Sequence, residues 1–127
     1  MNSEVKKVYI DMDGVIVDFQ TGIDRLPKVV RDRFPEDKDI DEAEGIFSLM
    51  EPIPGAIEAV TKLANSSKLD VYILSTAPWL NPSAWSDKLR WVHDHFGAGE
   101  HSPLYKRIIL SHNKHLNDGD YLIDDRD

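Results

Sequence analysis

Four short apolar runs in this chain each end abruptly in side chains that carry chemistry. That recurrence constrains the fold more than any other feature. Val8-Tyr9-Ile10 runs into Asp11, Met12, Asp13 and Gly14; Val71-Tyr72-Ile73-Leu74 into Ser75 and Thr76; Arg107-Ile108-Ile109-Leu110 into Ser111 to Lys114; and Tyr121-Leu122-Ile123 into Asp124 and Asp125. Runs rich in β-branched and aromatic residues suit strands buried on both faces. Helical spacing separates them. After Pro54, the residues Ile57, Val60, Leu63 and Ala64 share one face, and Asn65-Ser66-Ser67 ends the pattern. Residues 83–96 form a second helix, announced by the capping signal Asn81-Pro82-Ser83, with Trp85, Leu89, Val92 and Phe96 turned to the core and Gly97-Ala98-Gly99 as the stop. Strand–helix alternation predicts an α/β fold: a Rossmann-like, three-layer parallel sheet flanked by helices. Ligands bind such sheets at the carboxyl ends of the strands, where all four polar ends would meet. A strand with an ordinary Asp-Gly turn accounts for Asp11 to Gly14 taken alone; it does not account for four polar ends on one edge.

Composition narrows the function. The 127 residues carry 23 acidic and 15 basic side chains, a net charge of −8. A protein gripping nucleic acid through its phosphates should be basic, so long DNA or RNA is not an expected partner. A small phosphorylated molecule is, because one metal ion and one lysine neutralise it locally. No run of about 18 apolar residues marks a membrane span. The first residues, Met1-Asn2-Ser3-Glu4, lack the apolar core of a signal segment. Cysteine is absent, which excludes disulfides and thiolate metal sites and fits a cytoplasmic protein.

Between Asp18 and Pro54 the pattern turns polar. Ile23, Leu26, Val29, Val30 and Phe34 give approximate helical spacing, interrupted by Pro27, and the charged stretch 31–42 reads as a solvated helix-loop-helix insertion. Asp37, Asp39 and Asp41 resemble the start of a calcium loop. The glycine and closing glutamate that such a loop needs are replaced by Glu42 and Ser48, so that reading fails.

The polar edge carries a definite chemistry. Mg²⁺ typically takes one or two protein carboxylates, with water and substrate phosphate completing its shell. Asp11 and Asp124 are the obvious ligands, with the Asp13 carbonyl as a third. An aspartate can also attack phosphorus, and a neighbour two residues on can protonate the leaving alkoxide and later activate water. Ser75 and Thr76 can donate to phosphate oxygens. Lys88, bordering the buried face of the second helix, and Lys114, in the loop after the third strand, are both candidates for the completing cation. Trp79 could line a pocket. The histidines form no evident zinc site.

Three of these strand ends have counterparts in a known family. Asp11-Met12-Asp13-Gly14-Val15 resembles the first motif of the haloacid dehalogenase-like phosphohydrolases, Ile73-Leu74-Ser75-Thr76 the second and Leu122-Ile123-Asp124-Asp125 the fourth. Asp11 to Phe19, Glu51-Pro52-Ile53-Pro54-Gly55-Ala56, Trp91-Val92 with His95-Phe96-Gly97, and Tyr121 to Arg126 are similar to the 5'(3')-deoxyribonucleotidase family. The resemblance implies a magnesium-dependent phosphomonoesterase acting on nucleoside monophosphates through an aspartyl-phosphate. Asp11 would be the nucleophile and Asp13 the acid/base. Ser75 and Thr76 would bind phosphate, with Lys88 as the third-motif lysine and Lys114 as a secondary contact. Asp11, Asp13, Asp124 and Asp125 would hold the metal. It implies a core domain of residues 1–19 and 51–127, and a small helical cap of residues 20–50 inserted after the first strand, with Phe19 and Phe47 lining the pocket beneath. That cap is short for the family. The family also continues beyond the fourth motif, so the C-terminal part of the usual fold is expected to be missing; a homo-oligomer is one way to cover the sheet edge left bare.

Other readings stay open. A phosphatase or phosphomutase of another small metabolite would use the same groups. A receiver-like phospho-accepting module would too, but its motif order is reversed. A fragment that binds metal without catalysis is the third. Preferred base, sugar and ester position are not legible in the sequence.

Overall fold

The computed structural model describes residues 4–124. A four-stranded, wholly parallel sheet forms the centre, in the order β5-β4-β1-β6, from β1 (Lys6–Ile10), β4 (Leu69–Ser75), β5 (Ile108–Leu110) and β6 (Tyr121–Ile123). The register aligns Val8 with Val71, Ile10 with Ile73 and Ile10 with Ile123, so the polar residues following β1, β4 and β6 emerge together.

The two faces of this sheet are built differently. Val8, Ile10, Val71 and Ile73 belong to the main core, which also contains Val60 of α3 (Ala56–Ala64) and Trp91, Val92 and Phe96 of α4 (Ser83–Phe96). Right-handed crossovers from β1 through α3 to β4 and from β4 through α4 to β5 put both helices on this face. Tyr9 and Leu74 are buried but lie outside that core. Their face is crossed by the loop 111–120, which has one 3-10 turn at Lys114–Leu116. There the Tyr9 hydroxyl donates to the Asp118 carbonyl at 3.0 Å. A cavity of about 380 Å³ opens between this loop and β6. The outer strand β6 is largely bare, with Tyr121, Leu122 and Ile123 at 58, 52 and 40% exposure.

Helix α4 spans the expected residues, but its buried face is turned. Ala84, Asp87, Lys88, Trp91, Val92 and Phe96 point inward, whereas Trp85 and Leu89 are 37 and 40% exposed. The expected core face thus holds at Val92 and Phe96 and fails at Trp85 and Leu89. The cause is Lys88, whose polar head has a buried use and draws its side of the helix inward. The capping expectation also needs correction. Pro82 occupies the N-cap with no side-chain hydrogen bond, and Asn81 and Ser83 spend their polar groups elsewhere.

The charged insertion is less helical than its sequence suggests. Pro27 separates α1 (Phe19–Arg25) from α2 (Lys28–Arg31), and the rest consists of 3-10 turns at Asp37–Glu42 and Ile46–Leu49. Its two ends leave the core side by side. β2 (Val17–Asp18) pairs antiparallel with β3 (Glu51–Pro52), Val17 opposite Pro52 and Asp18 opposite Glu51. Arg25 seals this neck, donating to the Leu49 carbonyl and the Glu51 carboxylate at 2.9 and 2.8 Å. Gly22 lies so close to Met50 that an added Cβ would stand 2.7 Å from its Cγ.

Candidate active site

The site starts where β1 ends. The Asp11 N–H still donates to the Ile123 carbonyl at 3.0 Å, continuing the ladder with β6. The chain then folds back: the N–H groups of Val15, Ile16 and Val17 converge on the Met12 carbonyl at 3.2, 2.8 and 2.9 Å. Gly14 takes φ +81°, a left-handed conformation that glycine adopts without strain. This tight loop presents Asp11 and Asp13 at the strand end.

Lys88 reaches the same place from α4 and is 1% exposed. An ammonium has three protons, and each finds an acceptor: Asp13 Oδ2 at 3.2 Å, Ser75 Oγ at 2.8 Å and the Thr76 carbonyl. The Phe47 ring lies 4.6 Å from Nζ, a cation–π contact that ties the insertion to the core. Phe47 in turn meets Phe19 edge to face at 5.8 Å. With Oδ2 of Asp13 held by Lys88, its Oδ1 is buried with no hydrogen-bond partner among the described residues. A buried acceptor left unmade is costly. A donor on a bound molecule would satisfy it.

Lys114 approaches from the opposite face of the sheet. Its Nζ is 3.5 Å from Asp11 Oδ1 and 3.9 Å from Asp124 Oδ2. Burial pushes the Asp11 carboxyl up; Lys114 and the Met12 N–H, which donates to Oδ1 at 2.8 Å, pull it down, and the net direction is upward. Two carboxylates from neighbouring strands thus already hold one cation between them. In kind, this donor set fits Mg²⁺, which needs only one or two protein carboxylates. It does not make an all-protein cage: no group of three or more His, Asp or Glu side chains that could hold a metal occurs among the described residues.

Of the expected site residues, Asp11, Asp13, Ser75, Lys88, Lys114 and Asp124 come together in these contacts. Thr76 is exposed at the end of β4, while Ser75 beside it is fully buried under Lys88. Asp125 lies outside the described residues. Trp79 is set apart: 80% exposed, it packs on His112, which also touches Trp85, at the β5 side of the sheet. Two features were missed in the sequence. Asn81, 1% exposed, donates to the carbonyls of Asp41 and Ala43. Asp41 belongs to the rejected calcium pattern, yet its carboxylate feels both Asp13 and Lys88. Spacing alone gave no signal for either.

The family model for "5' nucleotidase, deoxy (pyrimidine), cytosolic type C protein" matches residues 39–127. A protein of Vibrio phage KVP40, assigned by name to the 5'(3')-deoxyribonucleotidases, is 52% identical over 94% of this chain. The human cytosolic-type 5'(3')-deoxyribonucleotidase is 32% identical over 95% of it, and the mouse mitochondrial enzyme 31% over 98%. The chain spans 65, 71 and 66% of these three relatives' own lengths. Sequence similarity and strand-end geometry agree: the chain belongs to the 5'(3')-deoxyribonucleotidase family of the haloacid dehalogenase-like superfamily.

Proposed function

We propose that this chain is a phosphomonoesterase that releases phosphate from nucleoside monophosphates, deoxyribonucleotides foremost, with Mg²⁺ as its cofactor. The observation that carries the proposal is the division of labour between its first two acids. Asp11 has a carboxylate at the mouth of the sheet beside Lys114 and Asp124. Asp13 has one oxygen fixed by Lys88 and the other without a hydrogen-bond partner among the described residues. The family's nucleotidase relatives support the choice of substrate.

In the first step an Asp11 oxygen forms a bond to phosphorus as the ester P–O bond breaks. Protonated Asp13 gives its proton to the departing alkoxide. In the second, the Asp13 carboxylate takes a proton from water as the water oxygen bonds to phosphorus. The aspartyl-phosphate P–O bond then breaks, returning Asp11 and releasing inorganic phosphate. Lys88 holds Asp13 in place. Thr76, exposed at the strand end, offers its hydroxyl to a phosphate oxygen, and buried Ser75 supports Lys88 from behind. Asp11 and Asp124, joined by Asp125 and the Asp13 carbonyl, would hold Mg²⁺, which supplies positive charge against the phosphate oxygens. Lys114, released from the two carboxylates, would then be free to face the phosphate.

A panel of nucleoside and sugar monophosphates, assayed for phosphate release with and without Mg²⁺, tests this reading. Turnover should favour the nucleotides and require the metal. Asp11→Asn should lower it by at least about 10³-fold, since the amide cannot form the acyl phosphate. Undiminished turnover in that variant would remove Asp11 from the role of nucleophile.

A further inference from the structure

The inserted segment does more than cover the core. Asn81, in the loop between β4 and α4, donates from its Nδ2 to the Asp41 carbonyl at 2.9 Å and the Ala43 carbonyl at 3.0 Å. Its Oδ1 accepts from the Ser83 hydroxyl, and Ser83 Oγ accepts from the Gly45 N–H at 3.0 Å. This buried clamp fixes one end of the stretch 41–47 to the loop that follows Ser75 and Thr76. Phe47, over the Lys88 ammonium, fixes the other. Asp41, half-buried, is held in the first turn of that span. Burial, then the charge of Asp13, push its carboxyl up from the usual range, while Lys88 acts in the opposite sense.

A carboxylate so placed is unsuited to phosphate, which it repels. Ionised, it accepts hydrogen bonds and donates none. What it can recognise is a hydrogen-bond donor on whatever the phosphate is attached to. We propose that Asp41, whose backbone the Asn81 clamp ties to the loop that follows Thr76, is a specificity residue that accepts a hydrogen bond from a hydroxyl or amino group on the alcohol portion of the phosphomonoester. The inference rests on the phosphomonoesterase reading and deepens it. A substrate without such a donor leaves a partly desolvated carboxylate unpaired, and sites built to bond a donor reject analogues that lack it.

The test compares thymidine 5'-monophosphate with phenyl phosphate, whose alcohol portion carries no donor. Asn81 grips backbone carbonyls, so Asp41→Ala leaves the clamp in place and should melt as the unaltered chain does. In that variant the ratio of kcat/KM for the nucleotide to kcat/KM for phenyl phosphate should fall about tenfold, chiefly through the nucleotide's KM. Asp41→Asn, which keeps an acceptor oxygen, should lose less. An unchanged ratio, or an equal loss on both esters, would overturn the assignment. If the unaltered chain hydrolyses neither ester, the phosphatase reading fails by itself. Calorimetric binding of thymidine 5'-monophosphate and inorganic phosphate then decides the Asp41 question: weakened nucleotide binding with phosphate binding kept supports it, and parallel behaviour of the two ligands sinks it.

Discussion

The sheet's two faces deliver one lysine each to the same strand end, and they do so under different constraints. On the helix-covered face, Lys88 comes from the packed flank of a 14-residue helix, fully enclosed, with an acceptor for every proton. On the loop-covered face, Lys114 comes from a short 3-10 turn beside a bare strand and holds its two carboxylates at the long distances of 3.5 and 3.9 Å. A buried, saturated ammonium cannot move without leaving several groups unsatisfied, whereas a loosely paired one can. The contrast assigns the two cations different work. Lys88 is scaffold for Asp13, the proposed acid/base, and Lys114 is a looser counter-charge to Asp11 and Asp124.

The sharpest way to break the contrast is to remove the enclosed cation. Lys88→Met keeps the length of the side chain and strips Asp13, Ser75 and the Thr76 carbonyl of their partner. It should cost about 2–3 kcal/mol in denaturant unfolding and lower turnover by roughly 10²-fold or more. A variant of near-normal stability would mean that Lys88 is not structural. Lys114→Met should behave otherwise: a loss of about 1 kcal/mol in the absence of metal, together with roughly tenfold tighter Mg²⁺ binding by calorimetry, because a competing cation has gone. Weaker Mg²⁺ binding would show that Lys114 assists the metal site instead of competing with it.

The smallest expected effect concerns a second ionisable group on the helix-covered face. Asp87, buried on α4, has its carboxyl pushed up by burial, with Arg90 acting against this and Glu44 adding to it. A raised carboxyl favours the folded chain only while protonated, so its contribution is lost as pH climbs from the ordinary value of 3.8 through the raised one. Asp87→Asn should therefore stabilise the chain by about 0.5 kcal/mol at pH 7, and the gain should vanish in acid melts below the ordinary value. A gain independent of pH would point to packing and not charge.

What the sequence revealed follows the same division. Strands β1 and β4 were legible because buried strands are written as unbroken apolar runs; β6 carries the same apolar run although it is largely exposed, and the polar residues that follow these runs stand out against them. The phase of α4 was not. Asp87 and Lys88 count as surface residues in any hydrophobic pattern, and only the enclosure of Lys88 by Asp13, Ser75 and Phe47 turns that side inward. The role of Asn81 was hidden because an asparagine before a helix reads as a cap, while its real partners lie about 40 residues earlier in the chain. Asp41 was hidden by its neighbours: in a run of acidic residues, nothing marks the one whose backbone carbonyl the Asn81 amide takes up.

The neck formed by β2 and β3 has a consequence for how such a chain can change. Because Val17 and Asp18 lie directly against Pro52 and Glu51, what hangs between them behaves as a cassette with a fixed socket. Lengthening a closed loop costs little, about 0.6 kcal/mol for each doubling, so residues can be added or exchanged there without moving the socket. The exchange has a limit, because Phe47, within the inserted segment, lies against the Lys88 ammonium. With Phe47 kept, the choice of alcohol proposed for Asp41 could change from one descendant to the next.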